Sequence, residues 1–214
     1  MGRLVVIEGL DGAGKRTLAD GLTARLRDAG VSVTGLAFPR YDADVHAALA
    51  RDALYGRMGD LAASVHGMAT LFALDRRAAA AELRAATERH DVVLCDRYVA
   101  SNAAYGAARL HQDVDGAFVA WVHALEMGRF VLPVPDLQVL LRVPVSVAAA
   151  RAAGRAAADA ARVQDAYESD AGLQQRCAAV YEQLAARQWV APWHVVDGDG
   201  AEDLAAAVLA HGIA

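Results

Sequence analysis

The sequence predicts an α/β protein, a mostly parallel sheet of about five strands covered by helices on both faces. Three observations carry this prediction. Short, continuously apolar segments such as "DVVLCD" (91–96) and "LQVLLRV" (137–143) suit strands buried on both sides. Segments with apolar residues at helical spacing alternate with them along the chain. The first strand runs directly into a glycine-rich turn that opens a helix, "EGLDGAGK" (8–15).

Taken in order, "RLVVIEG" (3–9) is a buried strand and 16–29 an amphipathic helix that stops before Gly30. "VSVTGLAF" (31–38) is a second strand, ending at Pro39. Helices follow at 43–55 and 61–89, the second long and Ala-rich. The strand at 91–96 ends in Asp96, and two helices are expected at 100–111 and 115–129. A turn region, "VLPVPD" (131–136), precedes the strand at 137–143. A helix at 145–152 leads into the loose stretch "AAGRAAADAARV" (152–163), so that a lid is expected at about 149–163. An Ala-rich helix with a solvated basic face would read the same way. A helix at 166–188, a strand at 194–197 and a terminal helix at 201–210 complete the chain.

The 214 residues suit one domain, 1–214, with a sizeable core. A net charge of -5 offers no basic field for nucleic acid. The apolar run "LVVI" is too short for a signal-peptide core, and no stretch approaches a membrane span. Cys95 and Cys177 make no disulfide framework and fit a reducing compartment. The expected location is cytoplasmic. Lys15 is the only lysine and Asn102 the only asparagine. In so arginine-rich a chain, a lysine directly after Gly14 marks a place where a compact ammonium serves and a wide guanidinium does not.

"GLDGAGKRTL" (9–18) matches the phosphate-binding pattern G-x-x-x-x-G-K-[S/T] through Gly9, Gly14 and Lys15, then departs from it at Arg16. Gly9, Gly12, Ala13 and Gly14 let backbone N–H groups curl around phosphate oxygens at a helix N-terminus. The missing hydroxyl would normally ligate Mg²⁺. Thr17 cannot simply replace it, because one helical step turns the side chain by roughly 100°. The acids Asp11, Asp96, Asp165 and Glu168 are candidates to hold the metal instead. A guanine-reading Asn-Lys-x-Asp is impossible here, since the one asparagine precedes Ala103. A small phosphotransferase remains.

Three further clusters supply an acceptor pocket: "FPRY" (38–41), "LFALDRR" (71–77) and "DRYVASNAAYG" (96–106). Arg40, Arg76 and Arg97 suit phosphate or carbonyl groups; Tyr41, Phe72 and Tyr105 suit a flat ring or a sugar. Phe72 and Arg76 share a helix face at i, i+4. Singly, Phe72 and Tyr105 read as packing and Arg97 as the partner of a buried acid; together they describe a pocket for a nucleoside monophosphate.

"DRYVASNAAY", with "EGLDGAGK", "FPRY" and "LFALDRR" in that order, resembles the thymidylate kinase family over nearly the whole chain. "GAGKRT" and "YESDAGLQQR" bring it nearest to the family's actinobacterial form. The resemblance implies a P-loop nucleoside-monophosphate-kinase fold with a lid, and transfer of the γ-phosphoryl of ATP to dTMP with Mg²⁺. By matching position, Phe72 stacks on thymine, Arg76 donates to its O4, and Asn102 reads its N3 edge. Arg40 and Arg97 hold the acceptor phosphate, near Phe38, Tyr41 and Ser101, and Tyr105 crowds the sugar 2′ position. Asp11 sits near the 3′-hydroxyl and, with Glu168, holds the metal. Lys15, Asp11, Arg97 and a lid arginine, Arg155, carry catalysis; Arg16, Thr17, Arg151, Arg155 and Arg162 complete the ATP site. Gly12 stands where some members carry an arginine, which assigns the catalytic arginine to the lid. A homodimer packed through helices is implied, with 61–89 and 115–129 as candidate surfaces. Two alternatives stand beside this reading: a kinase for a different monophosphate, and a regulatory module that binds ATP without turnover.

Overall fold

The computed structural model describes residues 1–158, 167, 170–198 and 201–210, with the backbone alone at 155–158 and 201–203. Among these, five strands form one sheet: β1 (Arg3–Glu8), β2 (Val33–Ala37), β3 (Val92–Asp96), β4 (Leu137–Arg142) and β5 (Trp193–Asp197). Their order is β2-β3-β1-β4-β5 and every pairing is parallel. β1 therefore lies between β3 and β4, where the strand order reverses. Ligands of open α/β sheets bind beyond the carboxyl ends of strands at such a point, and the glycine turn after β1 sits there.

The apolar run of β1 explains its central place. Leu4 and Val6 face one core, while Val5 and Ile7 face the other. On the second face lies α1 (Lys15–Asp28), which buries Leu18, Leu22 and Leu26 at i, i+4 and i+8, and α8 (Ala201–Ala210) packs beside it. On the first face lie α3 (Val65–Arg89), α4 (Val99–Arg109), α5 (Ala117–Val122) and α7 (Ala171–Ala186). Small residues of α4, Ala100, Ala103, Ala104 and Ala107, are fully buried and let α4 lie close to its neighbours.

The structure adjusts four expected elements. The helix expected at 61–89 begins as a short 3₁₀ turn, and α3 starts only at Val65, because Ser64 caps it by accepting from the Gly67 N–H at 3.1 Å. The helix expected at 115–129 divides at His123: after α5 the chain is π-helical through Arg129, and the Phe130 N–H donates to Leu125 O, five residues back. The expected loose stretch from 152 is helical through its first part, since α6 spans Val145–Ala158; an Ala-rich sequence has high helix propensity, and the alanines outweigh the one glycine, Gly154. α7 starts at Ala171 rather than 166, capped by Asp170, which accepts from the Leu173 N–H. α2 (Val45–Leu54) is capped by Asp44 in the same manner.

Candidate active site

The site grows from the turn between β1 and α1. Gly14 sits at φ 103°, in the left-handed region, and among the described residues no side chain caps α1. Its first N–H groups and dipole are thus left for an anion. A side chain at Gly12 would meet Ala148 O at 2.0 Å, because α6 lies directly on the turn. That contact is the physical reason an arginine has no room at position 12. From α6, Arg151 instead reaches the turn and donates to Ala13 O at 3.1 Å.

Lys15 is buried and folded back on the turn, donating to Gly9 O and Leu10 O at 3.2 and 2.9 Å. Burial and then the Arg97 charge push its pKa down to about 8, against Asp11, Asp96 and Glu8. A phosphate would give this ammonium a better partner than two carbonyls. Arg16 points outward, 91% exposed, with Asp20 at 4.0 Å. Arg16 and Thr17 both border the cleft described next.

That cleft has a volume of about 1070 Å³. It joins the glycine turn to the loops after β2 and β3 and to one face of α3. Of the residues expected for the acceptor, Asp11, Phe38, Tyr41, Phe72, Arg76, Arg97, Ser101, Asn102 and Tyr105 all border it.

Arg97 is held at the centre by its surroundings. It has φ 66°, uncommon for a non-glycine residue, while its N–H donates to Ile7 O. This turn swings the side chain from the end of β3 toward the glycine loop. Its Nη2 donates to Asp11 Oδ1 at 2.5 Å and its Nη1 to Ser101 Oγ at 3.2 Å. Tyr105 lies under the guanidinium, 5.4 Å from its ring centre, and donates to Asp11 Oδ2 at 2.7 Å. Burial alone would raise the Asp11 pKa. The Arg97 and Lys15 charges and the Tyr105 hydroxyl reverse that and hold the carboxyl well below the usual range.

At the far end, Arg76 and Asn102 are buried side by side. Glu126, from the π-helical turn, accepts from Arg76 Nε at 2.6 Å and Nη2 at 2.8 Å. It also accepts from Asn102 Nδ2 at 2.8 Å, and the same Nδ2 donates to Ala69 O at 2.8 Å. With both amide hydrogens committed, Asn102 has only its Oδ1 to offer, an acceptor. Arg76 offers Nη1, a donor. Phe72, on the same helix face as Arg76, stands half-buried beside them.

Arg40 departs from expectation. It does not border the cleft: its Nε donates to Asp75 Oδ1 at 2.8 Å, its N–H to Asp75 Oδ2 at 2.9 Å and its Nη2 to Asp75 O. The cause is Asp75, fully buried and in need of a cation. The "FPRY" loop is thereby pinned to α3, and Phe38 follows a neighbouring constraint, its ring 5.8 Å from that of Tyr98. Arg162 and Glu168 lie outside the described residues, as does the side chain of Arg155.

Two carboxylates of the site have little sequence signature. Glu8, wholly buried, accepts from the Tyr98 N–H at 2.8 Å, Ser101 Oγ at 2.6 Å and Tyr181 Oη at 3.0 Å. It ties β1 to the start of α4; an acid ending the apolar run "RLVVIEG" was its only sign. Glu126, in "HALEMGR", had none. Asp96 borders the cleft, and its Oδ1 is buried without a hydrogen-bond partner among the described residues. Asp11 and Asp96 together are hard oxygen donors of the kind Mg²⁺ takes, and one or two carboxylates with waters and phosphates suffice for it. Cys95 and Cys177 are buried with their pKa values raised by burial, and neither borders the cleft.

A phosphate cradle at the topological switch point, continuous with a cleft that ends at the buried polar pair Arg76 and Asn102 beside Phe72, defines a P-loop phosphotransferase of nucleotide type. The comparison with known proteins carries this to a family. The thymidylate kinase family model matches residues 7–197. The chain is 53% identical to a thymidylate kinase of Mycobacterium tuberculosis over 207 residues, 97% of each chain. It is 34% identical to one of Pseudomonas fluorescens, covering 95% of this chain and 90% of that one. It is 35% identical to one of Thermomicrobium roseum, covering 92% and 87%. The chain belongs to the thymidylate kinase family.

Proposed function

We infer that the protein transfers the γ-phosphoryl group of ATP to dTMP, giving dTDP and ADP. The observation that carries this reading is the paired edge at the end of the cleft. Asn102 presents an acceptor and Arg76 a donor, the complement of N3–H and C4=O on thymine. Cytosine carries the opposite pattern, an acceptor at N3 and a donor at the 4-amino group.

Phosphoryl transfer asks mainly for alignment and neutralised charge. The glycine turn and Lys15 hold the donor phosphates, and Arg151 approaches them from α6. A second cavity of about 480 Å³ between β4, β5 and α6, bordered by Val143, Pro144 and Val147, suits the adenine end. Arg97 holds the acceptor phosphate in line. Arg40 serves indirectly, by pinning the loop that carries Phe38 and Tyr41. Asp11 and Asp96, with Glu168 as the expected third, would hold Mg²⁺, which supplies further neutralisation of the phosphate charges. The acceptor phosphate is already anionic, so no side chain need act as general base. Tyr105 bounds the sugar and excludes a 2′-hydroxyl.

The family resemblance also supports a cytoplasmic homodimer. Among the described residues, no helix is long and apolar enough to cross a membrane.

The test is ADP release by purified protein with ATP, Mg²⁺ and dTMP, dUMP, dCMP, ribosyl-TMP or AMP. Preference for dTMP over dCMP and over the ribose analogue is expected. Preference for dCMP or AMP would overturn the assignment of the edge, and tight ATP binding without turnover would point to a regulatory module.

A further inference from the structure

The base-reading edge is not built by Arg76 and Asn102 alone. The polarity that Asn102 presents, and the orientation of Arg76, each depend on a neighbour. A carboxamide can present either its oxygen or its nitrogen to a ligand. Asn102 is obliged to present the oxygen because Nδ2 has two acceptors behind it, Ala69 O and Glu126 Oε1, both at 2.8 Å. The Arg76 guanidinium is turned by the same carboxylate, which takes Nε and Nη2 and leaves Nη1 as the donor of a residue that borders the cleft. One Glu126 oxygen, Oε1, is shared by Arg76 and Asn102. Glu126 itself is wholly buried, does not border the cleft, and sits in the π-helical segment His123–Arg129. Such segments recur beside functional sites.

We propose that Glu126 is a positioning residue that sets the donor–acceptor polarity of the base pocket, and so selects the N3–H/C4=O edge against the cytosine edge. It touches no substrate. It acts by holding two side chains in one shared orientation with both oxygens: Oε2 accepts from Arg76 Nε, and Oε1 from Arg76 Nη2 and Asn102 Nδ2. A glutamine has one accepting atom where the site needs two. With its NH₂ at the Oε2 place it meets Arg76 Nε, and at the Oε1 place it meets Arg76 Nη2 and Asn102 Nδ2 together, so either placement sets donor against donor and turns Arg76. The second placement also favours the flipped carboxamide, against the pull of Ala69 O, and that flip presents a donor to the base and suits cytosine. The inference rests on the thymine reading above, and its test is separable from that reading.

The experiment compares the wild type with Glu126→Gln on dTMP, dUMP and dCMP at saturating ATP. The wild type comes first: if it does not prefer dTMP to dCMP, the thymine reading itself fails, independently of Glu126. Given that preference, Glu126→Gln is expected to raise KM for dTMP by about tenfold, with kcat nearly retained, as for loss of one hydrogen bond to a charged group. The ratio of kcat/KM for dTMP over dCMP should fall by a similar factor. The ratio for dTMP over dUMP, which reports the C5 methyl and not the edge, should stay put. A general loosening of the fold would lower both ratios or kcat; that outcome, or an unchanged dTMP/dCMP ratio, overturns the proposal. Should Glu126→Gln fail to fold, Glu126→Asp gives the same decision. Its carboxylate keeps the charge but is a methylene short of spanning both partners, so the dTMP/dCMP ratio should again fall and the dTMP/dUMP ratio hold. An Asp variant with wild-type selectivity refutes the positioning role.

Discussion

Arg97 Nη2 stands 2.5 Å from Asp11 Oδ1, so the loop after β3 and the turn after β1 are tied across the switch point by an ion pair. Neither partner can be removed without leaving the other charge in a largely buried place. Asp11→Asn is expected to lower kcat/KM by ~10–100-fold, the worth of a charge-assisted hydrogen bond at ~1.5–3 kcal/mol. Because the folded Asp11 pKa lies below its ordinary 3.8, the carboxylate contributes stability above that pH and loses it only as the pH falls further. The difference in Tm between wild type and Asp11→Asn should therefore be constant from about pH 6.5, below the Lys15 titration, to about 5 and shrink toward pH 3. A difference that shrinks already between about pH 6.5 and 5 would contradict the ion pair.

Lys15 has the opposite sign. Its folded pKa of about 8 lies below the ordinary 10.5, so burial of the charged ammonium costs stability at low pH, and the cost is relieved as pH rises through about 8. A polyphosphate stabilises the charged form. ATP binding near pH 8.5 should thus take up a proton, and calorimetry in buffers of different ionisation enthalpy should detect it; at pH 6.5 the uptake should vanish. Lys15→Ala should abolish the uptake and lower kcat by ~10²–10³-fold while leaving dTMP affinity nearly unchanged. Equal loss of dTMP affinity would mean the ammonium serves the acceptor.

Phe72 lies on the same face of α3 as Arg76 and contributes area, not polarity. Phe72→Ala should raise KM for dTMP strongly, stacking being worth ~1–3 kcal/mol where it has been measured. Since stacking tolerates any base, the dTMP/dCMP ratio should change little. A collapse of that ratio would show that Phe72 orients the base.

Tyr105 separates a hydroxyl effect from a ring effect. Tyr105→Phe removes the 2.7 Å bond to Asp11 but keeps the ring beside Arg97. It should slow turnover and preserve the preference for deoxyribose. Tyr105→Ala removes the wall and should narrow the gap between dTMP and ribosyl-TMP by about tenfold or more. If Phe relaxes the preference as much as Ala, the hydroxyl and not the ring is the filter.

Local pattern was enough for the elements whose causes are local. The apolar run of β1, the helical spacing of Leu18, Leu22 and Leu26, and Gly14 before Lys15 each act within a few residues. They predicted strand, helix and phosphate turn near their observed bounds. The π-helical turn after Val122 was not legible, because packing against the rest of the fold settles where a helix changes register, whereas the extension of α6 to Ala158 follows the Ala-rich alternative that the sequence offered.

The site divides along the same line. By itself the sequence determined which chemistry is present: a lone lysine in a glycine turn, and arginines and aromatics at strand ends in the order of one family. Tertiary structure alone decided how those groups are aimed. Arg40 turns to Asp75 and away from the cleft, Arg97 turns to Asp11, and Glu126 orients Arg76 and Asn102 from 50 and 24 residues away in the chain. A buried charge takes whichever partner the fold brings within hydrogen-bond reach, and that choice depends on proximity in space, which spacing along the chain does not encode.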